Sequence, residues 1–121
     1  MKFVLDKRGD STVVIVDSVD KCIKNVEDAL DIMGSISYNY ECNKLVIREE
    51  NIVEEFFDLK TRLAGEILQK YTNYGVKLAI SGDFSKYDSK SLKDFIYECN
   101  NGKQIFFVED IENGLDRLHS I

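Results

Sequence analysis

Apolar residues recur along the chain with two different spacings, and the spacing predicts which element each segment forms. Five short apolar runs, each bounded by polar residues or glycine, predict strands at residues 3–5, 12–18, 44–50, 76–82 and 103–109. Four longer segments repeat their apolar residues with the helical period of about 3.6 residues. These segments predict helices at residues 25–36, 53–74, 89–102 and 110–120.

The order of these elements predicts the fold class. The first two strands flank the sequence KRGD at residues 7–10, where Gly9 favours the turn of an antiparallel hairpin. The other strands alternate with helices, which is typical of a parallel sheet with helices packed on it. We therefore expect one α/β domain over residues 1–121, with the order β-β-α-β-α-β-α-β-α. It contains a mostly parallel five-stranded sheet, an antiparallel edge strand and about four helices.

Several polar residues and glycines predict where the helices begin and end. Asn25 followed by Asp28 is typical of a helix start, and Ser91 followed by Asp94 has the spacing of a capping box. Gly75 is expected to end the second helix, because glycine readily adopts the left-handed conformation found there. Gly114 lies inside the last predicted helix and is expected to weaken it.

The segment at residues 53–74 contains a conflict. On one straight helix its apolar side chains form a single stripe, and Lys60 falls near the middle of that stripe. An ammonium group is costly to bury. Three interpretations resolve this conflict: Lys60 extends to water along its stem, the helix breaks near residues 58–61, or Lys60 faces a cleft used by a ligand or partner. The first two interpretations together are favoured, and Asp58 and Thr61, both good N-cap residues, support the break.

Composition restricts the classes of function. The net charge of −6 and the lack of a dense Lys/Arg run disfavour binding to nucleic acid and to anionic membranes. The three cysteines have no CxxC spacing, which favours reduced thiols and a cytoplasmic protein over a disulfide framework. The N-terminal apolar run is too short for a signal peptide, and no run reaches the length of a membrane span.

Candidate chemistry concentrates at the predicted carboxyl ends of the parallel strands, where such folds tend to bind ligands. Acidic residues follow three of these ends, namely Glu49, Glu50, Asp83, Glu109 and Asp110. They could hold Mg²⁺ or serve as ordinary acids at helix starts, and the second interpretation is favoured. We therefore expect neither a metal nor a cofactor.

Catalytic residues are hard to find in the sequence. The loop at residues 82–91 offers Ser85, Lys86 and Tyr87 to a phosphate or a partner, but an exposed loop is the favoured interpretation, because no phosphate-binding glycine motif is present. His119 is the only histidine, and its position beside the C-terminus predicts neither a fixed partner nor a pocket. An enzyme is therefore the less favoured class, and no catalytic residue is assigned.

Two resemblances add to this picture. The sequence FFDLKTRLAGEILQKYTNYGVKLAISGDFSKY, with the following SKSLKDFIYECNNGKQIFFV, resembles an uncharacterised bacterial domain-of-unknown-function family. The element order is also similar to that of STAS domains, the fold of anti-sigma-factor antagonists, in which a serine of an Asp-Ser-Ser-Gly-Leu turn is phosphorylated. That resemblance places Thr61 at the phosphoacceptor, with one residue inserted. Arg62 stands where the STAS glycine would be, and Lys60 matches no part of the pattern.

The leading hypothesis is a small cytoplasmic, STAS-like regulatory module that binds a protein partner. Its candidate residues are those at the start of the long helix and those in the following polar loop, namely Asp58, Lys60, Thr61 and Arg62, with Asp83, Ser85, Lys86 and Tyr87. The alternative is a small-molecule or nucleotide-binding protein, a class that includes enzymes, that uses the C-terminal ends of the strands. A homodimer is a third possibility.

Overall fold

The computed structural model describes residues 1–121 and contains one five-stranded sheet with the strand order β1-β2-β3-β4-β5. β1 pairs antiparallel with β2, and all the other neighbouring strands pair parallel. The predicted fold class, an α/β domain with an antiparallel edge strand and four helices, is confirmed. The strands are β1 (Lys2–Arg8), β2 (Ser11–Asp17), β3 (Lys44–Arg48), β4 (Lys77–Ser81) and β5 (Ile105–Val108), and the helices are α1 (Val26–Tyr40), α2 (Leu63–Asn73), α3 (Lys90–Asn100) and α4 (Ile111–His119).

The sheet separates two hydrophobic clusters. The larger one contains buried residues of α1, α2 and α3, including Ile36, Ile67 and Leu92. The smaller one joins Leu115 and Leu118 of α4 to the opposite face of the strands. Three helices therefore cover one face and α4 alone covers the other, which places the connections after β4 and β5 on opposite faces of the sheet.

The helix starts agree only in part with the predicted signals. Asn25 caps α1 by accepting a hydrogen bond from the Asp28 N–H at 2.8 Å, as predicted. The predicted cap at Ser91 is wrong, because Ser89 accepts the hydrogen bond of the Leu92 N–H at 3.1 Å. α1 also runs to Tyr40, beyond the predicted end at residue 36. No glycine or proline follows residue 36 to stop it.

The predicted break near residues 58–61 is confirmed. Two short 3₁₀ turns, Glu54–Phe57 and Leu59–Thr61, replace the first part of the helix, and α2 begins only at Leu63. Arg62, which lies between the second turn and α2, has a left-handed φ of 67°, which an α-helix cannot contain. Lys60 is exposed, so the break removes the conflict with the apolar stripe.

Two glycines differ in role. Gly75 has a φ of 70° and follows the end of α2, as predicted. Gly114 is not simply a weak point in α4, because a Cβ there would lie 3.2 Å from Val46 Cγ1 and 3.3 Å from Ala79 Cβ. The missing side chain lets α4 lie close against the sheet.

The hairpin is longer than predicted. β1 spans Lys2–Arg8 instead of residues 3–5, and the turn contains only Gly9 and Asp10. The charged residues that flank the apolar run also belong to β1, because they continue the backbone hydrogen bonds with β2. The three cysteines are free, as the sequence predicted. No helix is long and apolar enough to cross a membrane.

Candidate functional site

The carboxyl ends of β3, β4 and β5 border an open cavity in which Ile111 is the one hydrophobic lining residue. The cavity has a volume of about 440 Å³, is open to solvent, and is lined by Arg48, Glu49, Glu50, Ser81, Gly82, Lys86, Glu109, Asp110 and Ile111. It lies where the chain leaves β4 and β5 toward opposite faces of the sheet. In parallel sheets such a divergence opens a crevice beside the strand ends, which is a common place for ligands.

Glu49 is the central side chain of this region. It follows β3 directly, and only 11% of its side chain is exposed. Its Oε1 accepts a hydrogen bond from Lys86 Nζ at 2.9 Å, and its Oε2 accepts one from the Tyr87 hydroxyl. Partial burial, together with this hydrogen bond and the nearby carboxylate charge, raises the pKa of Tyr87. Glu49 thus attaches the loop after β4 to the end of β3.

Gly82 makes this arrangement possible. A Cβ at Gly82 would lie 2.7 Å from Glu49 Oε1 and 2.8 Å from Glu49 Cβ, which is closer than carbon and oxygen atoms can approach. Gly82 is the only glycine in the loop at residues 82–91, and the group that approaches it closely is the Glu49 side chain of the same protein.

The segment that replaces the start of α2 is held by its own polar groups. The Thr61 hydroxyl lies 2.6 Å from the Glu55 carbonyl oxygen and 2.8 Å from the Asp58 carbonyl oxygen, and it accepts the Leu63 N–H at 3.3 Å. Asp58 accepts the Lys60 N–H at 3.2 Å. Both predicted cap residues therefore satisfy backbone groups of the turns.

The structure brings the two predicted groups of site residues together. The Phe57 and Tyr87 rings stack with their centroids 5.5 Å apart. Asp58 and Tyr87 line one open cavity of about 340 Å³. We call the segment 54–62 and the loop 83–87, together with Glu49, the Glu49 surface. Of the eight candidates, Lys86 and Tyr87 bind Glu49, whereas Lys60 and Arg62 are exposed without an ion pair.

Asp83 and Ser85 belong to a local turn. The Asp83 carboxylate accepts the Ser85 hydroxyl at 2.6 Å and the Ser85 N–H at 3.0 Å. Both hydrogen bonds lower the pKa of Asp83, and the bond from the Ser85 hydroxyl contributes more than the bond from the Ser85 N–H. The turn sets the direction in which the loop continues toward Lys86 and Tyr87.

Two of the acidic residues at the strand ends, Asp83 and Asp110, cap helical turns. No group of three or more His, Cys, Asp or Glu side chains lies close enough to hold a metal ion. Asp110 caps α4 by accepting the Asn113 N–H at 2.8 Å, and Asp83 caps the 3₁₀ turn Phe84–Lys86. These two acids therefore act as helix-start residues, the interpretation that the sequence favoured over Mg²⁺ binding.

The expectation for His119 is wrong. Its side chain is 5% exposed, its Nδ1 lies 2.8 Å from Ser11 Oγ, and its Nε2 lies 2.8 Å from Asp6 Oδ2. A Ser–His pair thus exists, although the sequence gave no sign of it. Nearby, Arg8 binds Asp116 of α4 at 2.6 Å. These contacts attach the C-terminal helix to the β1–β2 hairpin.

Sequence reasoning also missed Arg48, Ser81 and the anchoring role of Glu49. Arg48 Nη1 lies 3.3 Å from Asp17 Oδ1, and Ser81 is buried at the end of β4. The only available signal was their position at the ends of predicted strands. That position does not reveal which side chains face each other across the sheet.

Comparison with known proteins gives one assignment. No curated protein and no solved structure matches the chain significantly. One family model, described as Domain of unknown function (DUF4180), matches residues 8–118. The match covers nearly all of the chain, and the description assigns no activity. The chain therefore belongs to the DUF4180 family.

Proposed function

We propose that the domain is a regulatory module that binds a protein partner through the Glu49 surface. The observation that carries this proposal is the contact between two segments distant in sequence, formed by the Phe57–Tyr87 stack and by the bonds of Glu49 to Lys86 and Tyr87. These contacts fix a non-helical surface at one end of the sheet. Phe57 belongs to the larger hydrophobic cluster and Tyr87 packs against it, so the core holds this surface in place.

The exposed groups on this surface suit a protein partner. Asp58, Lys60 and Arg62 on one segment and Ser85 and Lys86 on the other present both signs of charge to solvent. Mixed charges of this kind select a partner of complementary pattern more than they add affinity. Two cavities of this region, of about 440 and 340 Å³, are open to solvent, which favours a broad contact over an enclosed small ligand.

The STAS-like element order adds a mechanism of control. A partner kinase would transfer the γ-phosphoryl group of a nucleoside triphosphate to Thr61 Oγ1: a P–O bond to Oγ1 forms, the β,γ-phosphoanhydride bond breaks, and the nucleoside diphosphate and the hydroxyl proton are released. The modified oxygen could no longer donate to the Glu55 or Asp58 carbonyl oxygen. The phosphate would also add about −1.5 to −2 charges beside Lys60 and Arg62. Both changes would alter the shape and charge of the binding surface.

The experiment is affinity purification from native cells with the wild-type chain and the variant Lys60→Ala/Thr61→Ala. We expect the variant to lose one specific partner. The matched control is Lys70→Ala/Thr72→Ala, which removes the same residue types from exposed positions on α2 and should keep that partner. A partner set that is identical for the wild type and both variants would contradict this binding surface.

The phosphorylation step has a separate readout. Intact-mass and peptide analysis of the protein from native cells, grown under several conditions, should find a phosphoryl group at Thr61. A chain that is never modified there would remove the switch and leave the interaction proposal standing.

A second candidate is a small-molecule binder that uses the 440 Å³ cavity. The divergence of the connections after β4 and β5 favours it, because ligands bind at such points. The lining contains four carboxylates against Arg48 and Lys86, and this excess of negative charge suits an organic cation better than a nucleotide.

Thermal unfolding in the presence of polyamines, guanidinium compounds or nucleotides tests the second candidate. A rise in melting temperature with the cations, abolished by Glu50→Gln and kept by the exposed control Glu66→Gln, would support it. The absence of any shift with cations would exclude the acidic cavity as a cation site.

A further inference from the structure

β1 is an edge strand, and the backbone groups on its outer side pair with no other strand. The sheet order places nothing beyond it, and it pairs only with β2. The two-residue turn makes Arg8 and Ser11 a hydrogen-bonded pair, and such pairs alternate along an antiparallel ladder. The backbone groups of Val4 and Asp6 therefore point toward β2, whereas those of Phe3 and Leu5 point away from the sheet.

The side chains of this edge are apolar at its centre and charged around it. Val4 is 41% exposed and Leu5 is 39% exposed, although both lie on a regular strand. Lys2 forms no ion pair, and the Asp6 carboxylate uses only its Oδ2, toward His119 and Arg8. A seven-residue edge strand with exposed apolar side chains is a template for another strand.

One antiparallel register makes β1 complementary to itself. Two-fold symmetry centred on Val4 places Val4 opposite Val4 of the second copy, Phe3 opposite Leu5, and Lys2 opposite Asp6. The outward backbone groups of Phe3 and Leu5 then exchange hydrogen bonds with the second copy. Val4 and Lys2 occupy non-hydrogen-bonded positions, where opposing side chains lie closest.

The two neighbouring registers are excluded or poorer. A shift by one residue would place an inward-pointing backbone group opposite an outward-pointing one, so no ladder could form. Centring the pair on Leu5 would set Lys2 against Arg8 and Val4 against Asp6. These pairs oppose like charges and bury an apolar side chain against a carboxylate.

We propose that this chain forms a symmetric homodimer in which β1 pairs antiparallel with β1 of a second copy, joining the two sheets into one. Tyr40 extends the contact, because its ring packs edge-on against Phe3 with the centroids 6.2 Å apart. This interface includes no residue of the Glu49 surface, so it is independent of the proposed function.

Sedimentation and light scattering of the wild-type chain and of Val4→Lys test the proposal. The wild type should have twice the chain mass of 13.9 kDa, and Val4→Lys should have the single-chain mass, because two ammonium groups would face each other at the symmetry axis. Val19→Lys is the matched control, since Val19 is 99% exposed and lies outside β1, and it should remain dimeric. A monomeric wild type, or a dimer that Val4→Lys leaves intact, would overturn the proposal.

Amide hydrogen exchange of the unmodified protein gives an independent readout. The Phe3 and Leu5 amides should be protected at high protein concentration and should exchange faster on dilution, whereas the Val4 and Asp6 amides should be protected in both cases. Free exchange of the Phe3 and Leu5 amides at high concentration would also refute the pairing.

Discussion

Gly82→Ala tests the close contact on which the Glu49 surface depends. The new Cβ would lie 2.7 Å from Glu49 Oε1 and 2.8 Å from Glu49 Cβ. The second atom cannot swing away by a side-chain rotation alone, because it is bonded to the backbone at the end of β3. Glu49 must therefore retreat by roughly half an ångström to restore ordinary contact, which weakens its bonds to Lys86 and Tyr87.

The expected cost follows from these contacts. Crowding a packed side chain costs about 1–3 kcal/mol. Losing the Tyr87 hydrogen bond adds about 1 kcal/mol. The Lys86 side chain is 57% exposed, and its ion pair adds about 0–1 kcal/mol. Reduced freedom of the unfolded chain offsets about 0.4–1 kcal/mol. We expect the free energy of unfolding to fall by about 1–5 kcal/mol overall.

Urea denaturation of the two proteins measures this difference. With a slope of about 1–3 kcal/mol per molar urea, mid-range values of the slope and of the stability loss lower the midpoint by about 1–2 M. Gly102→Ala is the matched control, because Gly102 also lies in a loop and its Cβ would meet only Cys99 O at 3.4 Å. It should leave the free energy of unfolding nearly unchanged. If Gly82→Ala were as stable as this control, the close packing of Glu49 against Gly82 would be refuted.

Two further predictions concern packing and pH. Gly114→Ala should lower the free energy of unfolding by about 1–2 kcal/mol, because its Cβ would crowd the sheet. Gly34→Ala in α1 should raise the free energy of unfolding by about 0.5–1 kcal/mol, since nothing lies within 4 Å of the new Cβ. Equal effects of the two variants in denaturation experiments would contradict this difference in packing. The raised pKa of Tyr87 means that the folded state favours its neutral hydroxyl. The contribution of this hydroxyl to stability is therefore full below about pH 10 and is lost as the pH rises through the folded pKa. Glu49→Gln should lower that pKa, as measured from tyrosinate absorbance after subtraction of the Tyr87→Phe curve, and an unchanged titration would argue against the Glu49 contact.

Local pattern was sufficient for the element order and for the break before α2. The strands and helices have distinct apolar spacings, and each spacing is a property of neighbouring residues. The break followed from a conflict that is also local, because Lys60 shares a stripe with large apolar side chains and cannot be buried among them. The bounds were less accurate, as the longer β1 shows, since pairing with β2 extends a strand beyond its apolar run.

The sequence by itself thus determined the fold class, the hairpin and the position of Lys60 outside the core. Only the tertiary structure decided which distant side chains meet. Glu49 binds Lys86 and Tyr87 because parallel pairing brings the ends of β3 and β4 side by side. His119 binds Asp6 because α4 crosses back over the sheet to the hairpin. Such contacts depend on strand order and on the path of the chain, which the spacing of residues along the sequence does not encode.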